Sequence, residues 1–318
     1  MPKQPDVLKV KGGQKIKIYF LIFLKICFLI FFLYFVYQKI NIESVIADIK
    51  ASNWQYLFLA YCVLIFGYYI SCYRWRYLLL ATANIDISQN QAFFQIFKGF
   101  VLSQILPSSL GGDAYRLLAI SKYVTVKKGL AIIFMDRFIG LSIFFILSLF
   151  VSPFFIYLLE NSMIGYLLFL CLAGFIAGTF FVLFIRRYLM KLFPSLDKYY
   201  DIFYSIFKEE YFLKILIASI LCGISFVFPI YLIGCALNIP LNPFYYYLVM
   251  PLIFIGTSLP ISFAGWGVRE GLFMMFFSIF GIPNELSLAL SVIYGFILLV
   301  AVLPFITLFF LKSEHTPT

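Results

Sequence analysis

The 318 residues are 64% hydrophobic and 12% charged with a formal net charge of +10, and the mean hydropathy is +1.01. A soluble domain carries about 25% charged residues; no water-soluble fold hides this much apolar surface, so the solvent is lipid and the expected class is an all-α polytopic membrane protein. A lone histidine, His315, in a polar tail excludes a histidine-based triad or zinc centre, no Walker motif is present for ATP hydrolysis, and no soluble module is left for nucleic acid.

A basic cytoplasmic segment, 1–17, precedes an apolar run over 18–37. That run is as long as a full span and no small-residue cleavage site comes after it, so it reads as a first transmembrane helix rather than a signal peptide. Lys25 lies shallow enough in it to snorkel back to the basic side. Further apolar segments occur at 54–79, 92–106, 129–152, 162–185, 212–237, 244–260, 266–281 and 286–311. Six segments are long enough to cross. The short segments fall into two pairs, 92–122 and 244–281, each reading as a helical hairpin, re-entrant or built from broken spans; hydropathy alone counts eight spans. Tyr19, Tyr37, Trp54, Trp75 and Tyr77 stand at span ends, where interfacial anchors belong. The six cysteines lie in apolar segments without C-x-x-C spacing and read as small hydrophobes.

The two hairpins carry one motif twice. Leu106-Pro-Ser-Ser-Leu-Gly-Gly-Asp-Ala-Tyr-Arg116 and Leu259-Pro-Ile-Ser-Phe-Ala-Gly-Trp-Gly-Val-Arg269 match in Leu, Pro, Ser, Gly and Arg at a constant offset of 153 residues. The same offset carries the segment starts 18, 54, 92 and 129 close to 162, 212, 244 and 286. Two membrane repeats are expected, 18–152 and 162–311, followed by a cytoplasmic tail, 312–318. Three crossings per repeat is an odd number, so the repeats are expected to be inverted, as in secondary transporters. Seventeen Lys and Arg fall on the side of the N-terminus and only Lys39 and Lys50 on the other; by the positive-inside rule both termini are cytoplasmic.

Lys98, Arg116, Arg137 and Arg269, with Asp113, Asp136 and Glu270, remain at membrane depth. Each such group costs around 2.5–3.5 kcal/mol at a helix centre, so it marks function by default. Asp113 and Arg116 share a helical face at i,i+3; Asp136-Arg137 and Arg269-Glu270 are sequence neighbours, expected to point apart toward other partners. Pro107 and Pro260 end a helical leg. Ser108, Ser109 and Ser262 are then placed to cap the second leg of each hairpin, and Gly111, Gly112, Gly265 and Gly267 permit the turn. These second-leg helices, beginning near Asp113 and Trp266, offer free N–H groups and a positive dipole end. If the hairpin tips meet, Arg116 and Arg269 form an anion site suited to a phosphate. Asp113 neutralises the empty site or binds a cationic part of the ligand. Asp136, Arg137, Glu270 and Lys98 form a polar track, with Asp136 the candidate for proton coupling because its repeat position is Ala289. The competing reading makes these ion pairs purely architectural.

Leu106–Arg116, Met135-Asp-Arg-Phe-Ile-Gly140 and above all Gly265-Trp-Gly-Val-Arg-Glu-Gly271 together resemble the flippase-like membrane family named for the transmembrane region of lysylphosphatidylglycerol synthases. The resemblance runs from the first span to the last. It implies an inner-membrane protein that moves a lipid, or a lipid-linked head group, between leaflets. The synthases proper carry a soluble aminoacyl-transferring domain after the membrane region; this chain ends at Thr318, so lysyl transfer is not expected of it. The leading expectation is a non-enzymatic lipid flippase that needs no cofactor or metal and takes an anionic lipid as substrate. A membrane-embedded head-group transferase with Asp113 or Glu270 as base is the runner-up. A partner protein of a lipid-modifying enzyme is the third reading, and a homo-oligomer is compatible with each.

Overall fold

The computed structural model of the chain describes residues 40–105, 111–158, 170, 173–175, 177, 197–207, 209–258 and 265–309. Every regular element among them is helical. In chain order these are α1 (Ile42–Ala51), α2 (Trp54–Ala83), α3 (Gln89–Ile105), α4 (Gly111–Ile120), α5 (Val126–Leu158), α6 (Asp197–Ile206), α7 (Glu209–Ala236), α8 (Pro243–Ser258), α9 (Val268–Ser278) and α10 (Asn284–Val302), the last continuing as a 3-10 turn over Leu303–Phe309. Among the described residues, four stretches are long and apolar enough to cross a bilayer: Trp54–Ala83, Val126–Pro153, Glu210–Ala236 and Asn284–Ile306. They agree with four of the six spans expected from hydropathy. The expected spans at 18–37 and most of 162–185, with Lys25, lie outside the described residues, as do Ser108, Ser109 and Ser262.

The centre of the bundle is the pair α2 and α7, the most extensively packed helices of the structure. Asn53 donates its backbone N–H to the Ala236 carbonyl at 3.0 Å, the Ser71 hydroxyl lies 3.4 Å from Cys222 Sγ, and the Tyr77 and Tyr211 rings stand 6.1 Å apart. Positions rise along α2 as they fall along α7, so the two helices are antiparallel. Small side chains allow this approach, because lipid tails supply no hydrophobic drive between helices and close packing must. A Cβ added at Gly67 would lie 2.8 Å from the Cβ of Ser225. Here Cys72 and Cys222 are buried as expected, whereas Cys62 faces outward.

Around this pair the remaining helices interlock. The Phe144 and Phe254 rings pack tilted with centroids 4.7 Å apart and the Ser148 hydroxyl donates to the Leu248 carbonyl at 2.9 Å, which lays α8 antiparallel to α5. Phe97 of α3 meets Phe305 of the final turn at 4.0 Å. Helices α1 and α6 were not anticipated: they are short and too polar for a span, and α1 is started by Asn41, whose side chain accepts the Glu43 and Ser44 N–H groups. Trp75, expected at an interface, is fully buried and spends its indole N–H on Gln95 Oε1 at 2.8 Å. A tryptophan near a span end reads as an anchor only when its helix face meets lipid, and Trp75 lies on the packed face of α2.

The first hairpin is held by a glycine contact. Gly112 N–H donates to Ser103 Oγ at 3.1 Å, and a Cβ at Gly112 would stand 2.4 Å from that oxygen and 2.5 Å from the Gly99 carbonyl oxygen. Gly112→Ala therefore forces α3 and α4 apart and should cost about 1–3 kcal/mol, read as a lower thermal midpoint in detergent. Gly174→Ala, where a Cβ meets nothing within 4 Å, is the matched control, and equal midpoints for the two variants would contradict this packing.

Candidate functional site: a buried guanidinium–carboxylate cluster

Helix α4 places Asp113 and Arg116 one turn apart on a face that meets α5. Arg116 Nη1 donates to Asp136 Oδ2 at 2.7 Å and Nη2 to Asp113 Oδ1 at 2.5 Å. Arg74 Nη2 of α2 lies 2.9 Å from the other oxygen of Asp136, and Arg137 Nε donates to Asp113 Oδ2. The Arg116 guanidinium also lies 4.7 Å from the centre of the Trp75 ring, a cation–π contact strengthened by burial. Arg116 and Asp136 are 8% and 6% exposed, so these charges are stable only because each meets an opposite charge. Asp136 and Arg137 take partners on other helices, as expected, but they converge on one cluster and one cavity rather than pointing apart.

This cluster lines a cavity of about 320 Å³ at the junction of α2, α3, α4, α5, α7 and α8. Three guanidinium groups, from Arg74, Arg116 and Arg137, face it against two carboxylates, from Asp113 and Asp136. These are the charged groups among the described residues of the wall, and Phe100, Phe144, Phe226 and Phe254 supply its aromatic part. Gly112 lines it as well; Lys98 is buried on α3 with its ammonium 5.8 Å from the Phe94 ring, away from the cavity wall.

The second motif is built differently. Gly265 and Gly267 adopt φ of +84° and +86°, backbone that only glycine takes without strain, and this turns the chain into α9. Glu270 folds back on the turn and accepts the Gly267 N–H at 2.6 Å. Its other oxygen accepts from Arg269 Nη2 at 2.6 Å and from Ser291 Oγ at 3.2 Å. The expectation that Arg269 and Glu270 diverge is thus overturned: Glu270 is anchored at the helix start, and the long arginine side chain bends round to reach it. Arg269 lies 4.4 Å from the Trp266 ring and close against Gly295. It lines a second cavity of about 180 Å³.

Arg116 and Arg269 therefore do not share one chamber. Their cavities are adjacent, and Ser103 and Phe254 belong to the walls of both. The expected free N–H groups at the two helix starts are used internally at Gly112 and Gly267, by Ser103 and Glu270. Gly111 is buried at the start of α4.

The chain matches the family model described as "Lysylphosphatidylglycerol synthase TM region" over residues 22–305, a range that includes every charged residue of both cavities. It belongs to that family. It is also similar to the UPF0104 membrane protein MJ1595 of Methanocaldococcus jannaschii, at 23% identity over 86% of this chain and 90% of that protein.

For this family member, sequence reasoning missed Arg74, which it counted among cytoplasmic charges. The signal was periodic: Arg74 lies three positions beyond Ser71 on the face that also carries Gly67 and Trp75. Removing the shared acceptor tests the network. Asp136→Asn leaves Arg74 and Arg116 short of a buried counter-charge and should cost about 3–5 kcal/mol, read by unfolding in detergent. Arg137→Gln, on a side chain 40% exposed, should cost under about 1 kcal/mol. A double-mutant cycle between Arg74→Gln and Asp136→Asn that proved additive would refute the coupling.

Proposed function

We propose that this protein moves a lipid with an acidic head group between the leaflets of the cytoplasmic membrane, with Arg74, Arg116 and Arg137 receiving the phosphate. The observation that carries this reading is the convergence of three guanidinium groups on one cavity deep among apolar helices. A phosphodiester would accept charge-assisted hydrogen bonds from these planar guanidinium forks. The aromatic remainder of the wall suits the glycerol and upper acyl region. Arg269 in the smaller cavity is a second anion-receiving position, and Asp113 the internal acid that the phosphate displaces.

An inverted repeat supports transport. Displacement by 153 residues carries α2, 54–83, onto 207–236, where α7 occupies 209–236, and α3, 89–105, onto 242–258, where α8 occupies 243–258. The unanticipated α1 and α6 correspond in the same way, at 42–51 and 197–206. Equivalent helices that pack antiparallel, as α2 and α7 do, are what a two-fold axis in the membrane plane requires. That axis would pass near Ser71 and Cys222, beside the larger cavity. The contact of α5 with α8 has its counterpart in the contact of the final 3-10 turn with α3. Two opposed halves around one site are the architecture of alternating access. The excess of basic residues on one side supports cytoplasmic termini.

Purified protein in phosphatidylcholine vesicles carrying trace fluorescent phosphatidylglycerol should exchange that lipid between leaflets. Arg116→Ala and Arg74→Ala should each slow exchange by about tenfold or more, the equivalent of losing one charge-assisted hydrogen bond of about 1.5–3 kcal/mol. Exchange unaffected by both substitutions would remove the site assignment. Covalent change in the recovered lipid would make the protein a transferase instead.

A further inference from the structure

The two cavities have Ser103 and Phe254 in common. These residues come from the first legs of the two hairpins, α3 and α8. Ser103 is fixed by the bond its Oγ accepts from Gly112 N–H at 3.1 Å. Phe254 is held on one side by Phe144 at 4.7 Å. The ring is the large and rotatable half of the partition: a phenylalanine turns about two side-chain torsions, whereas Ser103 is tied to the hairpin contact. On one side stand Arg74, Arg116 and Arg137; on the other stands Arg269, with Tyr294 and Thr257 lining the same wall.

We infer that Phe254, opposed by Ser103, is the constriction between two consecutive anion-receiving cavities on one translocation path, and that its ring sets the rate at which an acidic lipid head group passes from the Arg116 side to the Arg269 side. The inference rests on the transport reading. It adds a path residue that neither binds the phosphate nor belongs to the ion network. An aromatic ring suits this position because it closes the passage to water and ions yet yields to a head group by rotation. A charged or hydrogen-bonding side chain there would instead compete for the arginines.

Substitutions of opposite size separate this role from a merely structural one. In phosphatidylcholine vesicles with trace fluorescent phosphatidylglycerol, Phe254→Ala should exchange lipid several-fold faster than the native protein. Phe254→Trp should slow exchange by about tenfold. Binding of inorganic phosphate, read by thermal shift, should be unchanged in both, because it engages Arg74 and Arg116 and not the aromatic wall. A misfolded variant would lose this binding, so a conservative handle accompanies the pair. Ser103→Cys should exchange normally until a thiosulfonate reagent enlarges its side chain, then slow, and recover on reduction, while the native protein treated identically is unaffected. Native exchange with both Phe254 variants at the native rate, or slowing of both, overturns the constriction and leaves the transport reading standing. Absence of exchange by the native protein overturns both.

Discussion

The arrangement depends on the Asp136 carboxylate, whose two oxygens lie 2.9 Å from an Arg74 nitrogen and 2.7 Å from an Arg116 nitrogen. Two guanidinium groups this close repel unless a counter-charge stands between them, and in a low-dielectric interior the repulsion is large. Asp136 therefore fixes α5 against α2 and α4 together. Asp113 repeats the device between Arg116 and Arg137. The ring of Trp75 lies against Arg116 as well. The guanidinium is thus held in place before any ligand arrives, which is the preorganisation that an anion site needs. A network of this kind contributes little net stability compared with apolar packing of the same volume, but breaking it is costly. Its retention makes sense where the charges serve a ligand.

Position within the membrane comes from a second constraint, the close approach of α2 and α7. Small residues at Gly67, Ser71, Cys222 and Ser225 bring these helices together, and Ser71 is also part of the larger cavity wall. The charged cluster consequently sits beside this close crossing. Any relative tilt of the helices about that crossing would alter the cavity directly. Helix α3 packs against the final turn and α8 against α5, so segments far apart in the sequence interlock.

Much of this was legible in the sequence because it rests on strong local signals. Apolar run length located four of the six expected spans to within a few residues, since each of those is a single long helix. Pro107 and Pro260 lie outside the described residues, which run to Ile105 in α3 and to Ser258 in α8. The i,i+3 pairing of Asp113 with Arg116 came from helical geometry alone. What escaped was tertiary. Nothing in the spacing of Ser103 and Phe254, 151 positions apart, announces that they meet the same two cavities. Arg74 looked like an end-of-span cation because charge counting ignores which face a residue occupies, and Trp75 was misread for the same reason. Arg269 and Glu270 defeated the rule for adjacent residues because a folded-back carboxylate at a helix start lies outside ideal helical geometry.

The two halves, on the proposed repeat, solve the same problem with different chemistry. Arg116 draws its carboxylates from one turn earlier in its own helix and from α5. The position equivalent to Asp136 in the other half is Ala289, fully buried, which offers Arg269 nothing. Glu270 supplies the missing acid from the next residue, and Ser291 bonds to both members of that pair. Arg269 is therefore paired with its neighbour in the same helix, whereas three guanidinium groups and two carboxylates, among the described residues, share the larger cavity. On the proposed function, a head group entering the Arg269 cavity would have to displace Glu270, which the Gly267 N–H also holds, while the larger cavity would offer it several guanidinium forks at once. The Arg269 cavity would then be the weaker station, and a ligand held firmly at the first could still leave through the second.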